Sequence, residues 1–342
     1  MIRKTHHKAV GLECPDSGGS GAAVPADVQD SVNFHHQTVL LEEVTKFLAP
    51  APGRRYADLT LGGGGHSERL LAAGASVLGL DRDSAALTAA RLRLHGYGTR
   101  LRCVQSNFAR FGAVVEQLGE APFDGILLDL GVSSHQLDTP DRGFSFMRDG
   151  PLDMRMGRDE GITAADIVNG ADEEFLVRTF REFGEEPQAR RAARAIVAGR
   201  LRKEFSTTRE LADCLEQALG RRGGHHPGTR IFQALRIAVN GELAALERLL
   251  ADAAGLLAPG GRLAVISFHS LEDRITKRHF RSMSQEMLDR PEWPAARPNP
   301  DCIYRELTRK AVEPSPEEVA ANPRARSAKL RVVEKLKKHN TQ

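Results

Sequence analysis

The 342-residue chain holds little cysteine. Its four residues, Cys14, Cys103, Cys214 and Cys302, lie far apart and form no Cys-x-x-Cys pair. That spacing suggests neither a zinc site nor a disulfide framework, no metal is expected, and a reducing cytoplasm fits. Long apolar runs are also missing. None approaches the ~20 residues that a bilayer-spanning helix needs, so no membrane role is expected. The first eight residues, Met1-Ile-Arg-Lys-Thr-His-His-Lys8, carry charge with no apolar core behind them, unlike a secretory leader. Excess charge is small, with 48 Lys and Arg against 45 Asp and Glu, a net +3 with His neutral. A balance so near neutral says little about partners. No internal repeat is visible. What is present is ordinary for a soluble globular protein, 41% hydrophobic and 27% charged residues. The length suits one large domain or a domain with a substantial insertion.

Residues 1–33 read as a tail, rich in Gly, Ser, Ala and Pro up to about residue 30 and without apolar periodicity. From Phe34 onward a rhythm sets in. Residues 38–48 have helical spacing and stop before Pro50. Strands are expected at 55–58, 76–81, 101–105 and 124–130, with helices beginning near Glu68 and Ser84. The fourth strand, Asp124-Gly-Ile-Leu-Leu-Asp-Leu130, has the apolar centre of a strand buried on both faces. Alternating strands and helices imply an α/β fold with a parallel sheet and right-handed crossovers. After Gln136 the alternation stops, and residues 140–242 read as helices and loops. It resumes with a helix at 241–257, a turn at Pro259-Gly-Gly261 and a strand at 262–268. A last strand is expected at 328–333. The simplest architecture is a sheet domain made of 34–139 and 243–335, carrying an inserted helical domain at 140–242. Between Arg324 and Gln342 seven Lys or Arg stand against one Glu, which suits a solvated tail or one that contacts phosphates.

The chemistry concentrates where the first strand meets Gly62-Gly-Gly-Gly65. Glycines at a strand end before a helix leave backbone amides open to a ligand. Asp58 ends the strand before the loop. Asp81 ends the next strand, where a carboxylate can accept both hydroxyls of a ribose. A nicotinamide dinucleotide would suit G-x-G-x-x-G, which requires glycine at 67 or 68, and Ser67 and Glu68 stand there. The spacing Asp58 to Gly62 and Gly64 fits the nucleoside of S-adenosylmethionine better, because that ligand has no pyrophosphate to cradle. From the loop alone both cofactors stay open.

The longer blocks are more specific. They include His36-Gln-Thr-Val-Leu-Leu-Glu42, Gly64-Gly-His-Ser67, Leu80-Asp-Arg-Asp83 and Gly125-Ile-Leu-Leu-Asp-Leu-Gly-Val-Ser-Ser134. Further on come Arg142-Gly-Phe-Ser-Phe-Met-Arg-Asp-Gly-Pro-Leu-Asp-Met-Arg-Met156, Thr229-Arg-Ile-Phe-Gln-Ala-Leu-Arg-Ile237, Ile266-Ser-Phe-His-Ser-Leu-Glu-Asp-Arg274 and Asn322-Pro-Arg-Ala-Arg-Ser327. In this order, over about 34–333, the sequence resembles the MraW-type family, that of the ribosomal RNA small subunit methyltransferase H. The stretch before Phe34 and the region 282–318 take no part in the likeness. The resemblance implies a Rossmann-like class I methyltransferase sheet with an inserted helical domain. It implies methyl transfer from S-adenosyl-L-methionine to the exocyclic N4 of a cytidine in the decoding region of 16S rRNA, in the cytoplasm, with 16S rRNA within the small ribosomal subunit as partner. It places Gly64, Gly65 and His66 on the methionine side of the cofactor, Asp81 on the ribose and Phe108 over the adenine, with Asp129 and Gln136 completing the pocket.

A cytosine amino group shares its lone pair with the ring, so an acceptor for its proton would help it become tetrahedral. DNA amino methyltransferases often use an Asp/Asn/Ser-Pro-Pro-aromatic turn, and Asp129-Leu-Gly-Val-Ser-Ser134 lacks both prolines and the aromatic. Asp129, or a group near Ser133 and Ser134, is the expected acceptor. His269 is a second candidate, set against a plain structural role. Phe144, Phe146, Arg142 and Arg148 are placed to hold a splayed base or to anchor the insertion. Within residues 172–236 there are 13 Lys or Arg and 10 Asp or Glu. Arg190, Arg191, Arg194, Arg200, Arg202 and Lys203 form a candidate basic face there. Two rival functions remain, a nicotinamide-dependent oxidoreductase and a non-catalytic ribosome-binding factor on the same scaffold.

Overall fold

The computed structural model describes residues 38–337, apart from 121, 159–160, 222–225 and 290. The tail at 1–33 and residues 338–342 fall outside that range. The first helix, α1 (Leu41–Leu48), starts three residues later than its pattern suggests. Leu40 turns left-handed, φ 53°, and its amide donates to the Glu318 carboxylate instead of entering the helix.

Then the alternation begins with β1 (Arg55–Asp58), α2 (Gly65–Ala72), β2 (Ser76–Asp81) and α3 (Ser84–Leu94). It continues with β3 (Leu101–Gln105), α4 (Phe111–Leu118) and β4 (Phe123–Asp129). A short α5 (Ser134–Asp138) opens the interruption. Five helices follow: α6 (Ala164–Gly170), α7 (Glu173–Glu182), α8 (Ala189–Arg200), α9 (Thr208–Leu219) and α10 (Thr229–Asn240). Then come α11 (Glu242–Leu256), β5 (Leu257–Ser267), α12 (Ser270–Ser284), β6 (Met287–Leu288), β7 (Arg297–Pro298), β8 (Tyr304–Glu306), α13 (Pro316–Ala321) and β9 (Lys329–Lys335).

Seven strands form one sheet in the order β3-β2-β1-β4-β5-β9-β8. The five on the β3 side run parallel, while β9 runs antiparallel to β5 and β8 antiparallel to β9. The expected turn at Pro259 survives as a break in pairing, since Phe123 faces Leu257 but Gly125 already faces Arg262.

Alternation along the strands fills both faces. Ile126, Leu128, Leu263 and Val265 pack with α4 and α11 on one side. Leu127, Ala264 and Ile266 pack with α1 and α2 on the other. That is why these strands read as nearly continuous apolar runs. The helices between β4 and α11 gather around an apolar cluster of their own, with Leu152, Met154, Phe180, Ile196, Leu211 and Leu235 among its buried members.

The described part of the basic C-terminal stretch is not a loose tail. Much of it is β9, with Arg331 bonded to Asp273 and the Lys335 ammonium donating to the Ala254 and Leu257 carbonyls. Among the described residues no helix is long and apolar enough to cross a membrane.

Candidate active site at the carboxyl edge of the sheet

Asp58, Asp81 and Asp129 end β1, β2 and β4 on one edge of the sheet. The glycine loop lies above them. Gly64 takes φ 79° and leads into α2. What crowds these glycines is protein. A Cβ on Gly64 would stand 2.7 Å from the Leu94 side chain, and one on Gly65 would stand 1.9 Å from the Thr38 hydroxyl. The two positions therefore need glycine for the packing of α3 and of the segment before α1.

Ser67, which breaks the dinucleotide pattern, has a positive role. Its hydroxyl donates to Asp58 Oδ2 at 2.7 Å in a fully buried contact. Burial pushes the Asp58 carboxyl up, and nearby His66 together with the Ser67 and Thr60 hydrogen bonds draws it back. Asp81 accepts the Gly62 amide on one oxygen and the Asp83 amide on the other, at 2.8 and 2.9 Å. Burial raises its pKa to about 6, against the pull of those two amides. The acid expected at the ribose is thus also the clamp that shapes the loop.

Asp129 is fixed from behind, its amide donating to the Thr60 hydroxyl at 2.7 Å. Its Oδ2 lies 3.7 Å from His66 Nε2. Both ring nitrogens of His66, and Asp129 Oδ1, are buried and have no hydrogen-bond partner in the protein. Buried polar atoms are rarely left so, and three in one place mark a polar site.

Phe108 opens a short turn after β3 and is half-buried against the apolar cluster beneath the sheet. Gln136 is buried and locally engaged. Its Oε1 accepts the Ser133 amide and its own amide donates to Ser133 Oγ, a reciprocal cap on α5. Its Nε2 donates to Asp83 Oδ2 at 3.1 Å. Ser133 is thereby committed to the helix.

Asp83 is the residue that pattern reading passed over. It caps α3 and receives the buried Arg142 guanidinium at 2.5 Å. Arg142 also donates to the Arg155 and Met156 carbonyls. Nothing local signals this pair, because 59 residues separate the two partners. The finding withdraws Arg142 from any role in holding a base. Phe144 is buried, and Phe146 is stacked against His226 and Phe232, which makes both anchors of the insertion.

His269 also turns out to be structural. It caps α12, with Nδ1 3.5 Å from the Glu272 amide and Nε2 3.2 Å from Glu272 Oε1. Glu272 is buried, which acts to raise its pKa, yet contacts with His269, Arg236 and the Phe268 amide hold it below the ordinary range. Glu242, His269 and Glu272 lie close enough to share an ion, but Arg236 already grips Glu242 with two bonds of 2.9 Å. The candidate basic face of the insertion divides. Arg194 pairs with Glu173, Lys203 with Glu210, and Arg200 donates to two backbone carbonyls.

Known proteins resemble this chain over nearly its whole length. The family model described as the MraW methylase family matches residues 33–336. A ribosomal RNA small subunit methyltransferase H of Anaeromyxobacter dehalogenans is 51% identical over 310 residues, covering 90% of this chain and all of that one. Its namesake from Myxococcus xanthus is 52% identical over 309 residues, covering 89% and 99%. A solved methyltransferase of Streptococcus mutans in complex with SAH covers 88% of the chain and 99% of its own, at 12% identity and a TM-score of 0.41. The chain belongs to the MraW methylase family, whose members are S-adenosylmethionine-dependent methyltransferases.

Proposed function

We propose that this protein transfers a methyl group from S-adenosylmethionine to the N4 amino group of a cytidine in the decoding region of 16S rRNA. The observation that carries the reading is the group of unpartnered buried atoms, His66 Nδ1 and Nε2 with Asp129 Oδ1, at the strand edge between the glycine loop and β4. These atoms, with the Asp81 carboxylate held by Gly62 and Asp83, fit a zwitterionic nucleoside. Gly64, Gly65 and His66 hold its amino-acid end, Asp81 its ribose and Phe108 its adenine, while Asp129 and Gln136 close the far side. The bound cofactor supplies an activated methyl whose departure leaves a neutral thioether.

The protein's task is then alignment and proton handling. Thr60 pins the Asp129 backbone and so fixes the point from which the carboxylate projects. Ser133 Oγ is spent on its cap, which leaves Asp129 Oδ1 as the acceptor for a proton of the cytosine amino group. His66 Nε2 lies 3.7 Å from Oδ2 of the same carboxylate. The insertion at 140–242 carries the substrate-reading surface. The names borne by the relatives, ribosomal RNA small subunit methyltransferase H, support rRNA of the small subunit as the acceptor.

The test is methyl transfer from radiolabelled S-adenosylmethionine to small subunits and to protein-free 16S rRNA lacking the modification. Label should enter a single cytidine. No incorporation into either substrate, or label on another base, would overturn the assignment.

A further inference from the structure

Some exposed arginines of this protein are answered by a carboxylate, as in Arg69 with Glu42, Arg93 with Glu68 and Arg324 with Asp138. Helix α12 gathers several unanswered cations on one face. Its outward positions are Arg274, Lys277, Arg278 and Arg281, at i, i+3, i+4 and i+7. At 3.6 residues per turn they share an arc of about 100° and span about 10 Å of helix. Only Arg274 has an acidic partner, Glu185, while Lys277, Arg278 and Arg281 have none among the described residues. The helix's own acids are engaged elsewhere. Glu272 is buried against His269, and Asp273 is bonded to Arg331.

Helix α12 starts beside the site, and Lys277 lies about 10 Å along it. Ile266 pairs with Asp129 across β5 and β4, and α12 begins four residues later. The inserted helices meet it there. Glu185, in the turn between α7 and α8, receives Ser270 and Arg274 on its carboxylate and Arg230 on its carbonyl. Five residues beyond that turn's glutamate, α8 presents Arg190 and Arg191, both exposed and without an acidic partner among the described residues. Glu185 is thus the clasp between two cationic surfaces.

We propose that Lys277, Arg278 and Arg281 of α12, continued by Arg190 and Arg191 of α8, form a phosphate track that grips the RNA strand flanking the target cytidine. The proposal rests on the reading of the protein as an rRNA methyltransferase. The geometry suits it, since Lys277, Arg278 and Arg281 share one face within about 6 Å of helix rise, so their long side chains can meet neighbouring phosphates of one strand. Three cations without counter-charges on one stripe repel each other and gain only when a polyanion replaces their counterions.

The test compares the parent with K277E/R278E/R281E and with the milder K277Q/R278Q/R281Q, each checked for an unchanged melting temperature and S-adenosylmethionine affinity. Binding to protein-free 16S rRNA is measured against salt concentration, and methyl transfer to small subunits is followed at increasing subunit concentration. The glutamate variant should flatten the slope of log K against log salt by about 2, since each phosphate no longer neutralised takes away about 0.7–0.9. Its KM for subunits should rise tenfold or more, with kcat at saturation retained, and the glutamine variant should fall between. If the parent methylates and both variants keep its salt slope and KM, the track is wrong. If the loss appears only with assembled subunits, the surface meets a ribosomal protein and the phosphate assignment is overturned. A parent that methylates neither substrate would instead sink the functional reading on which the track depends.

Discussion

Asp81 and Asp129 end the two strands that flank β1, and their surroundings set them different tasks. Asp81 is half-buried and held between two amides, with a pKa of about 6. That value lies above the ordinary 3.8, so the folded protein holds a proton there that the unfolded chain gives up. The stabilisation from this proton is full below about pH 4 and is lost as pH rises through 6. Cofactor binding runs the other way, because only the ionised carboxylate accepts two hydroxyls. Calorimetry should find S-adenosylmethionine binding weakening by about fivefold as pH falls from 6 to 5, and Asp81→Asn should be weak and flat across that window. A parent affinity independent of pH between 5 and 7 would contradict the role.

Asp129→Ala removes the free Oδ1. Turnover should drop by at least about 100-fold, consistent with the roughly 10²–10⁴ typical of a positioned proton acceptor. Normal cofactor binding with turnover at the parent rate would rule the acceptor out. Sequence alone exposes both aspartates, because a carboxylate that closes an apolar strand must bind something. It does not expose that Gly64 and Gly65 answer to Leu94 and Thr38, since those neighbours come from other elements.

At the scale of elements, long periodic segments are legible and paired ones are not. The first four parallel strands and α3 stand within a residue of where the sequence places them, while β5 begins at Leu257, five residues earlier than expected. The short strands β6, β7 and β8 have two or three residues each, too few to carry any pattern. The direction of β9 is set by its partner β5 and by nothing within its own residues. The Asp83–Arg142 pair belongs to this scale too, joining the cap of α3 to the start of the insertion. Arg142→Gln leaves a buried carboxylate without its cation, which costs about 3–5 kcal/mol. Urea unfolding should show that loss, and adding Asp83→Asn should return part of it. A single variant within about 1 kcal/mol of the parent would mean that the pair does not join the two elements.

For the whole molecule, one seven-stranded sheet carries Asp58, Asp81 and Asp129 on one edge, and the helices between β4 and α11 pack around an apolar cluster of their own. The order of these parts is visible in the chain as alternation, interruption and resumption. The bonds that join them, Glu185 with α12 and Arg142 with Asp83, arise only on folding. The near-neutral net charge conceals a surface that is locally one-signed along α12. The central claim is that all this serves one methyl group on one amino nitrogen of 16S rRNA. Mass spectrometry of nucleosides from the decoding region, in cells with and without this protein, tests it most directly. N4-methylated cytidine should be present with the protein and missing without it, and an unchanged nucleoside profile would contradict the account.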